Sequence, residues 1–69
     1  MNKHFLTPRE LEIFNLLIDN QNTSDIANKL CISEKTVRNH ISNVIGKLGV
    51  SSRTQAIIIL MKNGIIDVK

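Results

Sequence analysis

The sequence has few of the residues that build disulfides, metal sites and catalytic centres. It contains one cysteine and two histidines among 69 residues, and no tryptophan or tyrosine. Cys31 has no second cysteine for an internal disulfide, and His4 and His40 stand apart, so no cluster has metal-ligand spacing. The sequence shows no Ser/His/Asp or Cys/His constellation and no glycine-rich loop that would cradle a phosphate. We therefore expect no enzyme activity, metal, cofactor or small-molecule substrate.

Long apolar runs are missing too. No segment is long and apolar enough to span a membrane, and the N-terminus lacks the apolar run of a secretory signal. Internal repeats, low-complexity tracts and interior linkers are also missing. The sequence therefore predicts a cytoplasmic protein without a membrane partner, in which residues 1–69 form a single domain. Aliphatic side chains, with Phe5 and Phe14 as the aromatic residues, would fill its small core.

The charged residues are unevenly distributed along the chain. The formal net charge is +3. Residues 1–22 carry two basic and three acidic side chains, whereas residues 23–69 carry seven basic and three acidic ones. A positive excess on one part of a small domain is the electrostatic pattern expected for phosphate contact. Because the excess is modest, we expect a single copy to bind nucleic acid weakly.

The first part of the chain predicts two helices joined by a short turn. Residues 7–10, Thr-Pro-Arg-Glu, are a capping box with proline at the first helical position, so a first helix runs from here to about Asp19. After a turn at residues 20–22, a second helix begins with Thr23 as its N-cap, because the hydroxyl oxygen can accept from the free amides of the first turn. Ala27 is small enough to let the next helix cross closely, as a helix-turn-helix requires.

Two further helices are predicted after this pair. Ser33 is the expected N-cap of a third helix over residues 34–48. Cys31 stands in the turn before it, where a generic helix-turn-helix favours glycine, so a left-handed backbone there would be strained. Ser52 and Gln55 form a capping box that opens a fourth helix, which ends near residues 63 and 64. The expected fold class is therefore all-α, with four helices and a central helix-turn-helix.

The third helix has an apolar face and a polar face. Apolar residues recur at three- and four-residue intervals along the side expected to be buried; they are Val37, Ile41, Val44, Ile45 and Leu48. On the opposite side, residues at i, i+3, i+4 and i+7 form a line that we name the polar stripe: Lys35, Arg38, Asn39 and Ser42. Arg and Lys can read guanine, Asn adenine, and Ser either. Most charged helix faces contact only water, but the place of this face in a helix-turn-helix favours contact with DNA bases.

The fourth helix contains a run, Ala56 to Met61, that is apolar on all sides, although a terminal helix of a small domain should have one wet side. If Ala56, Ile57, Leu60 and Met61 face the core, four other residues face outward and form a predicted dimer surface: Gln55, Ile58, Ile59 and Lys62. The alternative is that the tail, residues 65–68, partly covers the two isoleucines, since scattered apolar surface residues are ordinary. We favour the dimer contact.

Several segments, in the right order and spacing, resemble one family of DNA-binding domains. They are LTPRE at 6–10, DIA at 25–27, ISEKTVRNHISNVIGKLGV at 32–50 and RTQA at 53–56. These motifs are similar to the LuxR/FixJ-type DNA-binding domain and cover nearly the whole chain, which most resembles the GerE-type stand-alone regulators. The resemblance implies a dimer that binds DNA through its third helix, pairs through its fourth, and activates or represses transcription.

The resemblance also implies which side chains contact the DNA backbone. By family position, six residues would contact phosphates: Thr23, Ser24, Thr36, His40, Lys47 and Arg53. For His40, a half-buried core contact is an equal alternative, and Lys35, at the edge of the polar stripe, could contact a base or a phosphate. Residues 20–25 depart from the family, which often has glycine before the second helix and Lys-Glu in its first turn. One potential phosphate-binding cation is therefore missing here.

These observations predict a sequence-specific transcriptional regulator that acts as a dimer, with the helix at residues 34–48 in the major groove. Its expected partners are double-stranded DNA and a second copy of the chain, with RNA polymerase left open as a third. One alternative is the isolated DNA-binding domain of a larger two-component response regulator. Another is a protein-interaction module that pairs through the fourth helix. A sigma-factor region 4 fragment is the nearest nucleic-acid-binding rival, but TVRNH at 36–40 and the fourth helix argue against it.

Overall fold

The computed structural model describes residues 5–67 and shows no strand among them. Its four helices are α1 (Pro8–Ile18), α2 (Thr23–Leu30), α3 (Glu34–Leu48) and α4 (Arg53–Lys62). The all-α prediction is confirmed, and the bounds of α3 agree with the predicted third helix at both ends. The interpretations that involve His4 and the tail residue Val68 lie outside the described residues.

The N-terminal caps explain where the first and third helices begin. At α1, the Glu10 amide donates to Thr7 Oγ1 at 3.2 Å, and the Thr7 amide donates to Glu10 Oε1 at 2.9 Å. This is the predicted capping box, with Pro8 at the first helical position. At α3, the Thr36 amide donates to Ser33 Oγ at 3.1 Å, which confirms Ser33 as the N-cap. Both caps satisfy amides that the first helical turn leaves without a partner.

The prediction that Thr23 caps α2 is wrong. The cap is the preceding residue, Asn22, whose Oδ1 accepts from the Asp25 amide at 2.8 Å. Asp25 Oδ2 in turn accepts from the Asn22 amide at 3.2 Å, which completes a capping box. Asparagine is preferred to threonine as an N-cap, and the acidic residue three positions later also favours Asn22. Thr23 is instead the first residue of the helix.

The predicted cap of α4 agrees with the structure at Ser52 but not at Gln55. Ser52 is the N-cap, and its Oγ accepts from the Gln55 amide at 3.2 Å. Gln55 does not return a bond to Ser52, however. Its Oε1 accepts from the amide and the hydroxyl of Ser51 at 2.9 and 3.0 Å. The side chain therefore stabilises the turn before the helix rather than a capping box.

All four helices end in the same way, with one residue in the left-handed conformation. The next residue along then donates its amide to a carbonyl five positions earlier, as in a Schellman motif. The four residues and their φ angles are Asn20 (66°), Cys31 (58°), Gly49 (67°) and Gly64 (69°). Glycine adopts this conformation without strain because it has no Cβ, and asparagine tolerates it because its side chain can hydrogen-bond locally. In cysteine the Cβ crowds the backbone, so the conformation is strained. The predicted left-handed turn at Cys31 is confirmed.

The helices pack around α3, which contacts α1, α2 and α4. A single cluster of buried apolar side chains fills the space between them: Leu6, Ile13, Phe14, Ile26, Ala27, Val37, Ile41, Val44, Ala56, Leu60 and Ile66. Ile45 and Leu48 are half-buried against this cluster. The predicted apolar face of α3 is therefore the buried face, and its opposite side faces outward.

The orientation of α4 differs from the prediction at Met61. Ala56 and Leu60 are fully buried and set the inward line of the helix. At 100° per residue, Ile57 and Ile59 lie about 80° to either side of that line, and both are half-buried. Met61 lies about 120° away and is exposed, so its predicted place in the core is wrong. Ile58 points opposite the core and is 47% exposed.

No single helix within residues 5–67 is long and apolar enough to cross a membrane. The pair α3 and α4, bent by 62° between them, reaches that length and composition when the two are taken together. In the same part of the chain, no three His, Cys, Asp or Glu side chains are grouped as metal ligands.

Candidate nucleic-acid interface

The polar stripe lies on the open side of α3. Lys35, Arg38, Asn39 and Ser42 are all exposed, whereas Val37, Ile41 and Val44 on the other side are buried. The helix is 15 residues long, and its start is fixed by the Ser33 cap. The major groove of B-DNA is wide enough to admit an α-helix. The structure thus brings together the four residues that the sequence predicted as base contacts.

Glu34 lies beside the polar stripe, and the sequence interpretation did not assign it a role. Thr23 Oγ1, at the start of α2, donates to Glu34 Oε1 at 3.3 Å. The same carboxylate oxygen lies 3.8 Å from an Arg38 guanidinium nitrogen, and both side chains are about half-exposed. The i, i+4 spacing of Glu34 and Arg38 could have indicated this ion pair. The contact with Thr23 joins two helices, and no local pattern predicts it.

The six predicted phosphate contacts have different surroundings. Ser24 and Arg53 are exposed near the N-termini of α2 and α4. Thr36 is half-buried, and its hydroxyl lies 2.9 Å from that of Ser33. His40 is half-buried, which fits either of its two interpretations. Thr23 is half-buried, and its hydroxyl already donates a hydrogen bond to Glu34.

Lys47, the sixth phosphate candidate, has a partner inside the protein. Its ammonium group donates to Glu10 Oε1 at 2.6 Å and to the Phe5 carbonyl at 3.4 Å. It also lies 5.8 Å from the centre of the Phe5 ring, within cation–π range. The Lys47 side chain is 34% exposed and that of Glu10 only 5%. The pair connects the end of α3 to the start of α1 and so adds a polar contact to the apolar packing that orients α3.

The ionisation of Glu10 follows from these contacts. Burial raises the pKa of Glu10, because a carboxylate loses solvation inside a protein. Hydrogen bonds from the Lys47 ammonium and the Thr7 amide, with the Lys47 charge, outweigh burial, so the pKa of Glu10 lies below the ordinary value of a glutamate side chain. Its spacing with Ile13 and Phe14 places Glu10 on the inward face of α1. That spacing is the signal by which the sequence could have indicated a buried acid needing a cation.

A shallow groove of about 530 Å³ lies between the α3–α4 turn and the outer side of α4. Residues 49–51 form one wall, and three residues of the predicted dimer surface form the other: Gln55, Ile58 and Ile59. Lys62, the fourth, is exposed outside the groove. Ile66, in the described part of the tail, is buried in the core. The tail as far as residue 67 therefore leaves Ile58 on the surface.

Comparison with known proteins places this architecture in a family. The family model described as "Bacterial regulatory proteins, luxR family" matches residues 4–60. The chain is 52% identical over 65 residues to the spore germination protein GerE of Bacillus subtilis (strain 168), which covers 94% of this chain and 88% of GerE. It is 46% identical over 66 residues to the transcriptional regulatory protein DegU of Brevibacillus brevis, covering 96% of this chain but 28% of DegU.

Solved structures agree with the sequence comparison. The structure of the transcription factor GerE superposes with a TM-score of 0.91 at 57% identity, covering 94% of this chain and 97% of GerE. The response regulator ChrA of a heme-sensing two-component system superposes with a TM-score of 0.82 at 39% identity, covering 88% of this chain and 30% of ChrA. This chain therefore belongs to the LuxR family of bacterial regulatory proteins, as a GerE-like transcriptional regulator with a helix-turn-helix DNA-binding domain.

Proposed function

We propose that this regulator binds double-stranded DNA as a homodimer and reads its site with α3 of each copy in the major groove. The observation that carries the proposal is the polar stripe, whose four side chains lie exposed on the side of α3 opposite the core. Arg38 and Lys35 suit guanine, Asn39 suits adenine, and Ser42 suits either. α3 already packs on the other three helices through the apolar core. Binding of the polar stripe to DNA would therefore cost little backbone entropy.

We propose that the six phosphate candidates orient α3 in the groove without reading sequence. Arg53 and Ser24 are exposed and need no rearrangement. Lys47 can serve Glu10 and a phosphate together, because an ammonium group has three donors and its side chain remains one-third exposed. Thr23 must release Glu34 before its hydroxyl can donate to a phosphate. We therefore expect Arg53 to contribute more to backbone binding than Thr23.

The dimensions of the molecule support a dimer. Its principal extents are 29 × 25 × 20 Å, whereas successive faces of the major groove repeat every 34–36 Å. One copy can therefore place one α3 in one groove, and an extended operator needs two copies. We assign the contact to Gln55, Ile58, Ile59 and Lys62, because the groove beside them is the place where a second α4 can bury Ile58. Met61, 38% exposed, adds apolar surface next to it.

We further propose that the protein works in the cytoplasm and contacts RNA polymerase when bound near a promoter. Both proposals rest on its place among bacterial transcription regulators. Co-elution of purified RNA polymerase with the protein on a promoter duplex, and not with the duplex alone, would support the second. The chain also matches parts of two longer proteins, the transcriptional regulatory protein DegU and the response regulator ChrA, and we propose the same DNA contacts in that setting.

Selection of duplexes from a random pool tests the proposed function. We expect the protein to enrich an inverted repeat whose half-sites are centred about one helical turn apart. Methylation of guanine N7, which lies in the major groove, should then block binding at guanines within each half-site. Enrichment of no sequence, or insensitivity to N7 methylation, would contradict base reading by α3. A module that acts through protein contacts alone would fail to bind DNA even at low salt.

A further inference from the structure

We propose that Glu34 sharpens the sequence preference of this protein by holding Arg38 over the base edges and away from the flanking phosphates. The inference rests on the proposed base-reading role of Arg38. Glu34 is neither a member of the polar stripe nor a phosphate candidate, yet it contacts one residue of each set. A carboxylate in this place repels DNA, so its presence needs a reason.

The contacts of Glu34 fix its position from two helices. Thr23 Oγ1 of α2 donates to Glu34 Oε1 at 3.3 Å, and the Arg38 guanidinium lies 3.8 Å from the same oxygen. The Thr23 bond limits the freedom of the carboxylate, which would otherwise be a mobile side chain at a helix start. Arg38 is thereby drawn toward the N-terminus of α3.

The direction of this ion pair favours bases over phosphates. Residues at i and i+4 lie one above the other along a helix, so the Glu34–Arg38 pair runs parallel to the axis of α3. In the major groove the base edges lie beneath that axis and the phosphates lie to its sides. A guanidinium has five donors, so Arg38 can keep one contact with Glu34 and still contact guanine O6 and N7. To reach a phosphate it must leave Glu34.

The pair therefore weakens binding to the wrong sequence more than binding to the right one. On a cognate site the Glu34–Arg38 contact persists, and nothing is lost. On other sequences Arg38 either stays with Glu34 and makes no contact, or breaks the pair to reach a phosphate. The ratio of the affinities for cognate and other sequences should therefore rise by the contribution of one exposed ion pair, about twofold to fivefold.

Glu34→Gln removes the charge and keeps the shape, and Glu12→Gln is its matched control. Glu12 is 51% exposed, pairs with Arg9 at 3.3 Å on α1 and loses the same charge, whereas Glu34 is 49% exposed. Each variant is titrated against the duplex selected by the wild-type protein and a scrambled duplex of equal length. We expect Glu34→Gln to tighten binding to the scrambled duplex about twofold to fivefold more than Glu12→Gln does. It should leave binding to the selected duplex at the level of the control.

Two further variants test that Glu34 acts through Arg38. In an Arg38→Ala background, Glu34→Gln should no longer change the ratio of the two affinities. Glu34→Asp keeps the charge but shortens the reach, and we expect it to lower the ratio as well. An unchanged ratio in Glu34→Gln, a full ratio in Glu34→Asp, or an effect that survives Arg38→Ala would each overturn the proposal. If the wild-type protein itself shows no preference between the duplexes, the base-reading function fails, and this inference fails with it.

Discussion

At the scale of single residues, the Glu10–Lys47 contact links the fold to the proposed function. A buried carboxylate without a partner is costly, and here the partner comes from the last turn of α3. The two residues are 37 positions apart in the sequence, so the contact joins α1 to the last turn of α3. The position of α3 therefore depends in part on this ion pair. The direction in which the polar stripe faces depends on it to the same extent.

Lys47→Met should destabilise the protein, because it leaves Glu10 buried without its cation. We expect a loss of about 1–3 kcal/mol in the free energy of unfolding, less than for a fully buried pair because Lys47 is one-third exposed. Denaturant unfolding followed by circular dichroism measures it, with Lys29→Met on the exposed side of α2 as the control. Adding Glu10→Gln to Lys47→Met should recover part of the loss. A variant as stable as the control would show that the pair contributes nothing.

The same contact predicts how stability depends on pH. The pKa of Glu10 is lower in the folded protein than the ordinary glutamate value of 4.5, which applies to the unfolded chain. The unfolded chain therefore binds more protons at pH values between the two. The contribution of ionised Glu10 to the free energy of unfolding is therefore complete above about pH 4.5. It is lost as the pH falls through the pKa of Glu10 in the folded protein. The stability difference between the wild-type protein and Glu10→Gln should be constant from pH 7 to about 5 and shrink below that. A difference that stays constant down to pH 3 would contradict this assignment.

At the scale of elements, the turn between α2 and α3 carries an avoidable strain. Cys31 has φ 58° and ψ 42°, a left-handed conformation in which its Cβ crowds the backbone. The equivalent residues after α3 and α4 are glycines. The helix-turn-helix therefore holds an unfavourable residue at its tightest point.

Cys31→Gly should stabilise the protein by about 0.5–1 kcal/mol, because the strain removed exceeds the extra freedom of glycine in the unfolded chain. Thermal unfolding should show the increase, with Cys31→Ala as the control, since alanine also removes the thiol but keeps the Cβ. If the alanine and glycine variants are equally stable, the backbone at this position is not strained.

Local patterns explain why most of the fold could be predicted from the sequence. The bounds of α3 follow from a serine cap, an apolar period and a glycine, all within the helix or next to it. The prediction for the cap of α2 is wrong by one residue, because the neighbouring residues Asn22 and Thr23 can both cap a helix. Met61 was misplaced because every position from Ala56 to Met61 is apolar, so periodicity cannot identify the inward side; packing on α3 does so.

The candidate site was predictable to the same extent. The polar stripe is a feature of one helix, and its exposure could be inferred from the opposite apolar face. Glu34 and Lys47 contact residues 11 and 37 positions away, and such contacts depend on how helices cross. Glu10 could have been recognised as an inward acid, but nothing near it in the sequence identifies Lys47 as its partner.

At the scale of the whole molecule, dimerisation on DNA is the next question. A net charge of +3 gives one copy little non-specific attraction to DNA, and one α3 in the proposed orientation would read few base pairs. Two copies joined through α4 would act at a high effective concentration on a two-part site. The small apolar surface at Ile58 suggests a contact that forms mainly on DNA.

Ile58→Glu should abolish cooperative binding to a full inverted repeat and leave weak binding to a half-site, because two buried carboxylates would face each other across the two-fold axis. Ile58 is 47% exposed, so the helical circular dichroism should not change. Asn15→Glu, on the exposed face of α1, adds the same charge elsewhere and is the control. If the Ile58 variant occupies the full site in one cooperative step, α4 is not the dimer surface.

If the polar stripe of α3 reads bases, Arg38→Ala should lose affinity mainly for the cognate site, which titration measures. The variant is compared with Arg9→Ala, which loses the same charge from α1, on the selected and scrambled duplexes at one salt concentration. We expect Arg38→Ala to weaken binding to the selected duplex by about 1–3 kcal/mol relative to the control, with little change on the scrambled duplex. An equal loss on both duplexes would show that Arg38 holds a phosphate and would contradict the account.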